Sequence, residues 1–157
     1  MEKLIPFTLN DLAKITDHRI GEIKFGEKML IVPKGANAAE YLQKSKADYV
    51  LLGIPEDIGV RANFGRAGTA TAWESAIRSI SNLQHNRFGK GSCLLVLGEI
   101  DIGREMKEAD TLDYRNQDDR KQLYTLVEKV DKIVSHFIAL IVRAGKTPIV
   151  IGGGHNN

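Results

Sequence analysis

Three short apolar runs stand out along a chain whose polar and apolar residues are otherwise mixed. They are Tyr49-Val50-Leu51-Leu52-Gly53-Ile54, Cys93-Leu94-Leu95-Val96-Leu97-Gly98 and Pro148-Ile149-Val150-Ile151-Gly152. None alternates apolar with polar, so each is expected to be covered on both faces, like strands of a parallel sheet flanked by helices. The stretches between them have helical spacing. After Thr69, which reads as an N-cap, the segment to about Ser81 places Trp73, Ile77 and Ile80 at i, i+4 and i+7. Asp118 or Asp119 is positioned to cap a second helix whose apolar stripe runs Leu123, Leu126, Val127, Val130, Ile133, Val134, Phe137, Ile138, Ile141. Gly145 stands where a left-handed C-cap belongs, with Pro148 just beyond.

Strand, helix, strand, helix, strand is a pair of βαβ units, whose crossovers are right-handed in nearly all proteins. The expected fold is therefore α/β: three αβα layers around a doubly wound, mainly parallel sheet. The first 45 residues are less regular. Leu9 to Ile15 and Ala36 to Lys46 read as short helices, with a glycine-punctuated, β-like segment between Arg19 and Val32. No repeat, low-complexity tract or linker composition interrupts residues 1–157, which read as a single domain.

Composition narrows the class. A length of 157 residues matches one domain of the usual roughly 100–200 residues and can bury a core without staples. Lys+Arg 22 against Asp+Glu 20 leaves a net charge of +2, without the clustered basic face of a nucleic-acid binder. No apolar run approaches the roughly 18–20 residues of a membrane span, and Met1-Glu2-Lys3 opens no signal-peptide core. The single Cys93 excludes an intrachain disulfide and fits a reducing compartment. A soluble, cytoplasmic protein with neither nucleic-acid nor membrane partners is expected.

Ligands of open α/β sheets bind beyond the carboxyl ends of the strands. The three runs end in Gly53-Ile54-Pro55-Glu56-Asp57, Gly98-Glu99-Ile100-Asp101 and Gly152-Gly153-Gly154-His155, so each delivers a glycine and then acidic or imidazole groups. His155 is open to two readings, as a metal ligand or acid/base group, or as an ordinary loop histidine. The loop from Glu56 to Gly68 carries Arg61, Asn63 and Arg66, suited to receiving a substrate carboxylate or else to satisfying loop carbonyls. Cys93 and Trp73 read as core. His18, His85 and His136 have no ligand-spaced partners, and Glu105 to Asp119 reads as a solvated loop.

From Tyr49 onward the chain resembles the first half of the arginase–agmatinase–formimidoylglutamase family, the manganese-dependent ureohydrolases. The resemblance rests on Leu52-Gly53-Ile54-Pro55-Glu56-Asp57-Ile58-Gly59 with Arg66-Ala67-Gly68 and Ala76-Ile77-Arg78, on Leu97-Gly98-Glu99-Ile100-Asp101-Ile102-Gly103, and on Thr147 to His155. It implies an arginase-like sheet with the second run beside the first and the first beside the third. It also implies His155 as a ligand of one of two manganese ions, an amidine or guanidine substrate, and a homo-oligomer. Gly154, where arginases and agmatinases have aspartate, leans toward the formimidoylglutamase-like branch. The family's Asp-x-His-x-Asp and Asp-x-Asp ligand segments do not occur here. A two-metal hydrolytic site needs several such ligands, with Glu56, Asp57 and Asp101 only remote contributors. The chain is thus expected to be the N-terminal portion of a larger manganese-dependent hydrolase of linear amidines or guanidines, inactive alone. Two other classes remain open: a non-catalytic folding or oligomerisation fragment, and a nucleotide- or phosphate-binding α/β protein using the triple glycine.

Overall fold

The computed structural model describes residues 2–154. Five strands form one sheet: β1 (Leu4–Pro6), β2 (Leu30–Ile31), β3 (Tyr49–Ile54), β4 (Leu94–Ile100) and β5 (Thr147–Gly152). The order is β1-β4-β3-β5, with β2 also on β4. β3 runs parallel to both β4 and β5, as the resemblance implied. β1 pairs antiparallel with Gly98–Ile100 and β2 pairs parallel with Leu95–Val96, so they share the edge of β4 that β3 leaves open.

Helices cover both faces. α1 (Leu9–Ile15) and α4 (Ala72–Ser81) lie on one side; α2 (Ala38–Lys44), α3 (Ile58–Ala62), α5 (Gly103–Ala109) and α6 (Gln117–Arg143) lie on the other. Successive strand residues point to opposite faces, and β3 shows the consequence. Val50, Leu52 and Ile54 pack with Leu123, Leu126, Val130, Val134 and Phe137 of α6, while Leu51 joins Leu12, Trp73 and Ile77. This is the expected three-layer α/β fold with a mainly parallel sheet.

Several local expectations need correction. The long helix is capped by Asn116, whose Oδ1 accepts from the backbone N–H groups of Asp118 (2.8 Å) and Asp119 (3.2 Å). The two aspartates sit inside its first turn, where negative charge favours the helix dipole. Thr69 does not cap α4. It opens a 3₁₀ turn, and its hydroxyl donates to the carbonyl of Glu56 at 2.8 Å. The stretch Glu105 to Asp119 is not all loop. Ile102, Met106 and Ala109 turn their apolar side chains to the core at i, i+4 and i+7, which winds residues 103–109 into α5. The Glu56–Gly68 loop likewise contains α3, anchored by buried Ile58 and Ala62. The 36–46 helix is shorter, Ala38–Lys44, because Asn37 caps it. Cys93 ends a 3₁₀ turn just before β4 and is only half-buried. Burial raises its thiol pKa, and a hydrogen bond to Asp48 and that residue's charge act in the same direction. Gly145 has φ +72°, the left-handed C-cap expected.

Among the described residues, no helix is long and apolar enough to cross a membrane.

Candidate functional site at the carboxyl edge of the sheet

β3 and β5 are parallel and in register to their last residues, with Ile54 opposite Gly152. Their carboxyl ends therefore emerge side by side. Gly152 has φ +97°, and a Cβ there would lie 2.5 Å from the carbonyl oxygen of Ile54. Only glycine accepts both the backbone angle and the contact. Gly153 follows with φ +80°, so the chain turns sharply as it leaves the sheet.

Glu56 receives this turn. It is 1% exposed, and its carboxylate accepts two backbone hydrogen bonds. Oε2 takes the N–H of Gly59 at 3.1 Å, and Oε1 takes the N–H of Gly154 across the strand boundary. Asp57, also buried, works within its own loop. Oδ2 accepts from the N–H of Gly68 at 3.1 Å, and Oδ1 lies 3.0 Å from Nε of Arg61. Burying these charges would be costly without partners, and ionised acceptors make the stronger hydrogen bonds to backbone amides.

The three loop residues predicted from the sequence have different surroundings. Arg61 lies on α3 with its side chain 15% exposed, paired with Asp57 and, through Nη1, with Asp110 at 3.0 Å. Its Nη2 is buried without a hydrogen-bond partner among the described residues. Asn63 terminates α3 and is exposed. Arg66 is exposed between Gly65 and Gly68 and makes no hydrogen bond or ion pair among the described residues. His155 lies outside the described residues.

The β4 ending diverges from the other two. Glu99 faces α4 and lines a cleft of about 780 Å³ with Trp73, Arg78, Lys14 and Phe7. Burial raises its carboxyl pKa, and the charges of Glu74 and Asp101 add to the shift. Asp101 is exposed and accepts from the N–H of Gly103 at 3.4 Å, closing a local turn before α5. The sheet edge thus brings together the β3 and β5 endings, with Asp101 held to its own loop. The other histidines have local roles. His85 accepts from the N–H of Gly91, His18 approaches Glu27 at 3.4 Å, and exposed His136 meets Phe137 edge-on.

Sequence reasoning missed two features of this edge. Glu56 could have been singled out as an acid sitting directly between an apolar strand and an apolar helix turn, where burial forces it to find donors. Phe64 carries no such signal. It has φ +59°, and its exposed ring meets Tyr114 edge-on at 6.1 Å and lies under the Arg120 guanidinium at 4.8 Å. These contacts brace the loop tip against the start of α6.

The chain is 29% identical over 113 residues to a formimidoylglutamase of Klebsiella pneumoniae, covering 72% of this chain and 29% of that protein. It is 32% identical over 108 residues to a formimidoylglutamase of Aromatoleum aromaticum, covering 68% of this chain and 27% of that protein. The chain therefore spans between a quarter and a third of the length of these curated relatives. No protein-family model matches it, and no solved structure does.

Proposed function

The chain is related to the ureohydrolase family through formimidoylglutamases, and on that basis we propose that it forms part of a hydrolase cleaving a linear, non-peptide C–N bond of an amidine or guanidine. The observation that carries this reading is the likeness to two formimidoylglutamases over more than two-thirds of the chain. The joined endings of β3 and β5 support it, since they lie where ligands of α/β sheets bind. Formimidoylglutamate is the first substrate proposed; agmatine and arginine come next.

The loop after β3 supplies the substrate contacts in this proposal. Arg66 has no competing partner among the described residues and can take a substrate carboxylate through its guanidinium fork. Arg61 and Asn63 precede it in the same loop, and the buried Nη2 of Arg61 is a donor still lacking an acceptor among the described residues. His155 and a two-manganese centre belong to the same proposal. The described residues do not by themselves fit such a centre. Among them no three His, Cys, Asp or Glu side chains converge on a metal position, and Glu56 and Asp57 direct their carboxylates to amides and to Arg61. His155 would be this chain's ligand, with the others supplied from outside the described residues. Cytoplasmic location and homo-oligomeric assembly complete the proposal.

Calorimetric titration of the chain with formimidoylglutamate and with agmatine tests the substrate contacts, because only the first has carboxylates. Arg66→Ala is expected to weaken formimidoylglutamate binding by roughly ten-fold, the loss of one charged hydrogen-bonding pair, and to leave agmatine unaffected. Equal binding of the two ligands, indifferent to Arg66, would overturn it.

A second reading is favoured by β5. Its residues Ile149, Val150 and Ile151 are apolar, yet each is only part-buried. A non-catalytic assembly unit that completes its sheet with another polypeptide would cover them. Gel filtration showing a stable monomer with formimidoylglutamate binding would dismiss this reading.

A further inference from the structure

We propose that Glu56 is a positioning residue, a two-point clamp that fixes the glycine turn after β5 against the loop after β3. Three glycines in succession have no side chains to pack and lose more conformational entropy on ordering than any other residues. Such a turn can be held only through its backbone. The N–H of Gly154 is held by Oε1 of Glu56, a residue 98 positions earlier in the chain.

The second oxygen of the same carboxylate holds the N–H of Gly59 in α3 at 3.1 Å. The main chain of Glu56 is fixed in turn: its N–H donates to Ile54 at 2.9 Å, and its carbonyl accepts from Thr69. One buried residue thus ties α3 and the β5 turn through its side chain, and β3 and the start of the α4 segment through its main chain. A carboxylate suits this task because it has two acceptor oxygens and no donor to collide with either amide. Neighbouring Asp57 shows the contrast. Its shorter side chain serves Gly68 and Arg61 within the same loop and does not reach β5.

Whatever follows Gly154 is presented from a turn whose position Glu56 sets. In the hydrolase reading this is His155, and that part of the inference rests on the proposed function. The clamp itself does not.

Residue-resolved amide hydrogen exchange on the full chain tests it, with Glu56→Gln and Glu56→Ala. Glutamine keeps one acceptor but turns an NH₂ toward the other amide, so the fold survives while one arm of the clamp is lost. In Glu56→Gln, exchange at Gly59 or Gly154 is expected to rise on the order of ten- to a hundred-fold, as for the loss of a hydrogen bond to a charged group. Val96 in the middle of β4 should keep its protection. In Glu56→Ala both glycine amides should lose protection together. Unchanged exchange at both glycines in Glu56→Gln would overturn the clamp. So would a uniform rise that includes Val96, which would make Glu56 a general determinant of folding. Titration of the same proteins with manganese separates the two readings. Local loss of protection with unchanged manganese affinity leaves the clamp standing and removes the metal reading.

Discussion

Trp73 occupies the space that a side chain at Gly53 would need. A Cβ built on Gly53 would lie 2.4 Å from Cδ2 of the indole, far inside van der Waals contact. The glycine in the apolar run of β3 is therefore a packing requirement: it lets α4 approach the sheet closely enough to bury the indole. Gly53→Ala is expected to destabilise the fold by about 2 kcal/mol, in the range for overpacked cores. Urea denaturation followed by the fluorescence of Trp73, the chain's only tryptophan, measures it directly. A loss below a few tenths of a kcal/mol would mean the helix can shift outward freely.

The pair formed by Asp57 and Arg61 is shielded from solvent, with side chains 11% and 15% exposed. Removing either partner leaves the other charged group partly buried, which costs more than the pair's net contribution. Arg61→Ala and Asp57→Asn are each expected to lower stability by roughly 2 kcal/mol, and the double variant by little more than either alone. A double-mutant cycle by denaturant titration should give a coupling above about 1 kcal/mol. Strict additivity would show that the two side chains act separately.

Glu99 gives stability a pH dependence of identifiable sign. Burial, then Glu74 and Asp101, raise its carboxyl pKa above the unfolded value. The folded chain therefore holds this proton more tightly than the unfolded chain, and stability falls as pH rises from the unfolded pKa through the folded one. Glu99→Gln removes that penalty. The variant should be more stable than the parent at neutral pH, and this advantage should vanish in acid, below the ordinary carboxylate range. Thermal melts at several pH values decide it, and a constant offset at all pH values would contradict the assignment.

The layers of the fold were legible because the strand runs are apolar on both faces and α6 repeats its apolar residues from Leu123 to Ile141, about five turns of helix. Periodicity of that length is hard to mistake. The short helices α1 and α2 were legible too, at Leu9–Ile15 and within residues 36–46, but other short elements were not, for the opposite reason. β1 is three residues long and exists because the edge of β4 is available to it, a tertiary fact absent from Leu4-Ile5-Pro6. α5 did leave a trace in Ile102, Met106 and Ala109, but the charges around them obscured it. At the site, the glycines and strand-end acids announced which edge matters. Their pairing could not be read, because Glu56 and Gly154 meet only once β3 and β5 lie side by side.

The outer flank of β4 has a consequence for how this sheet can grow. β1 and β2 share that flank with opposite chain directions, three and two residues long. An incoming strand would have to match both orientations in turn, so that side offers no continuous ladder for addition. β5, six residues long and unidirectional, does offer one. Enlargement of the sheet, whether by more polypeptide or by a neighbouring molecule, is thus polarised toward the flank where the glycine turn emerges.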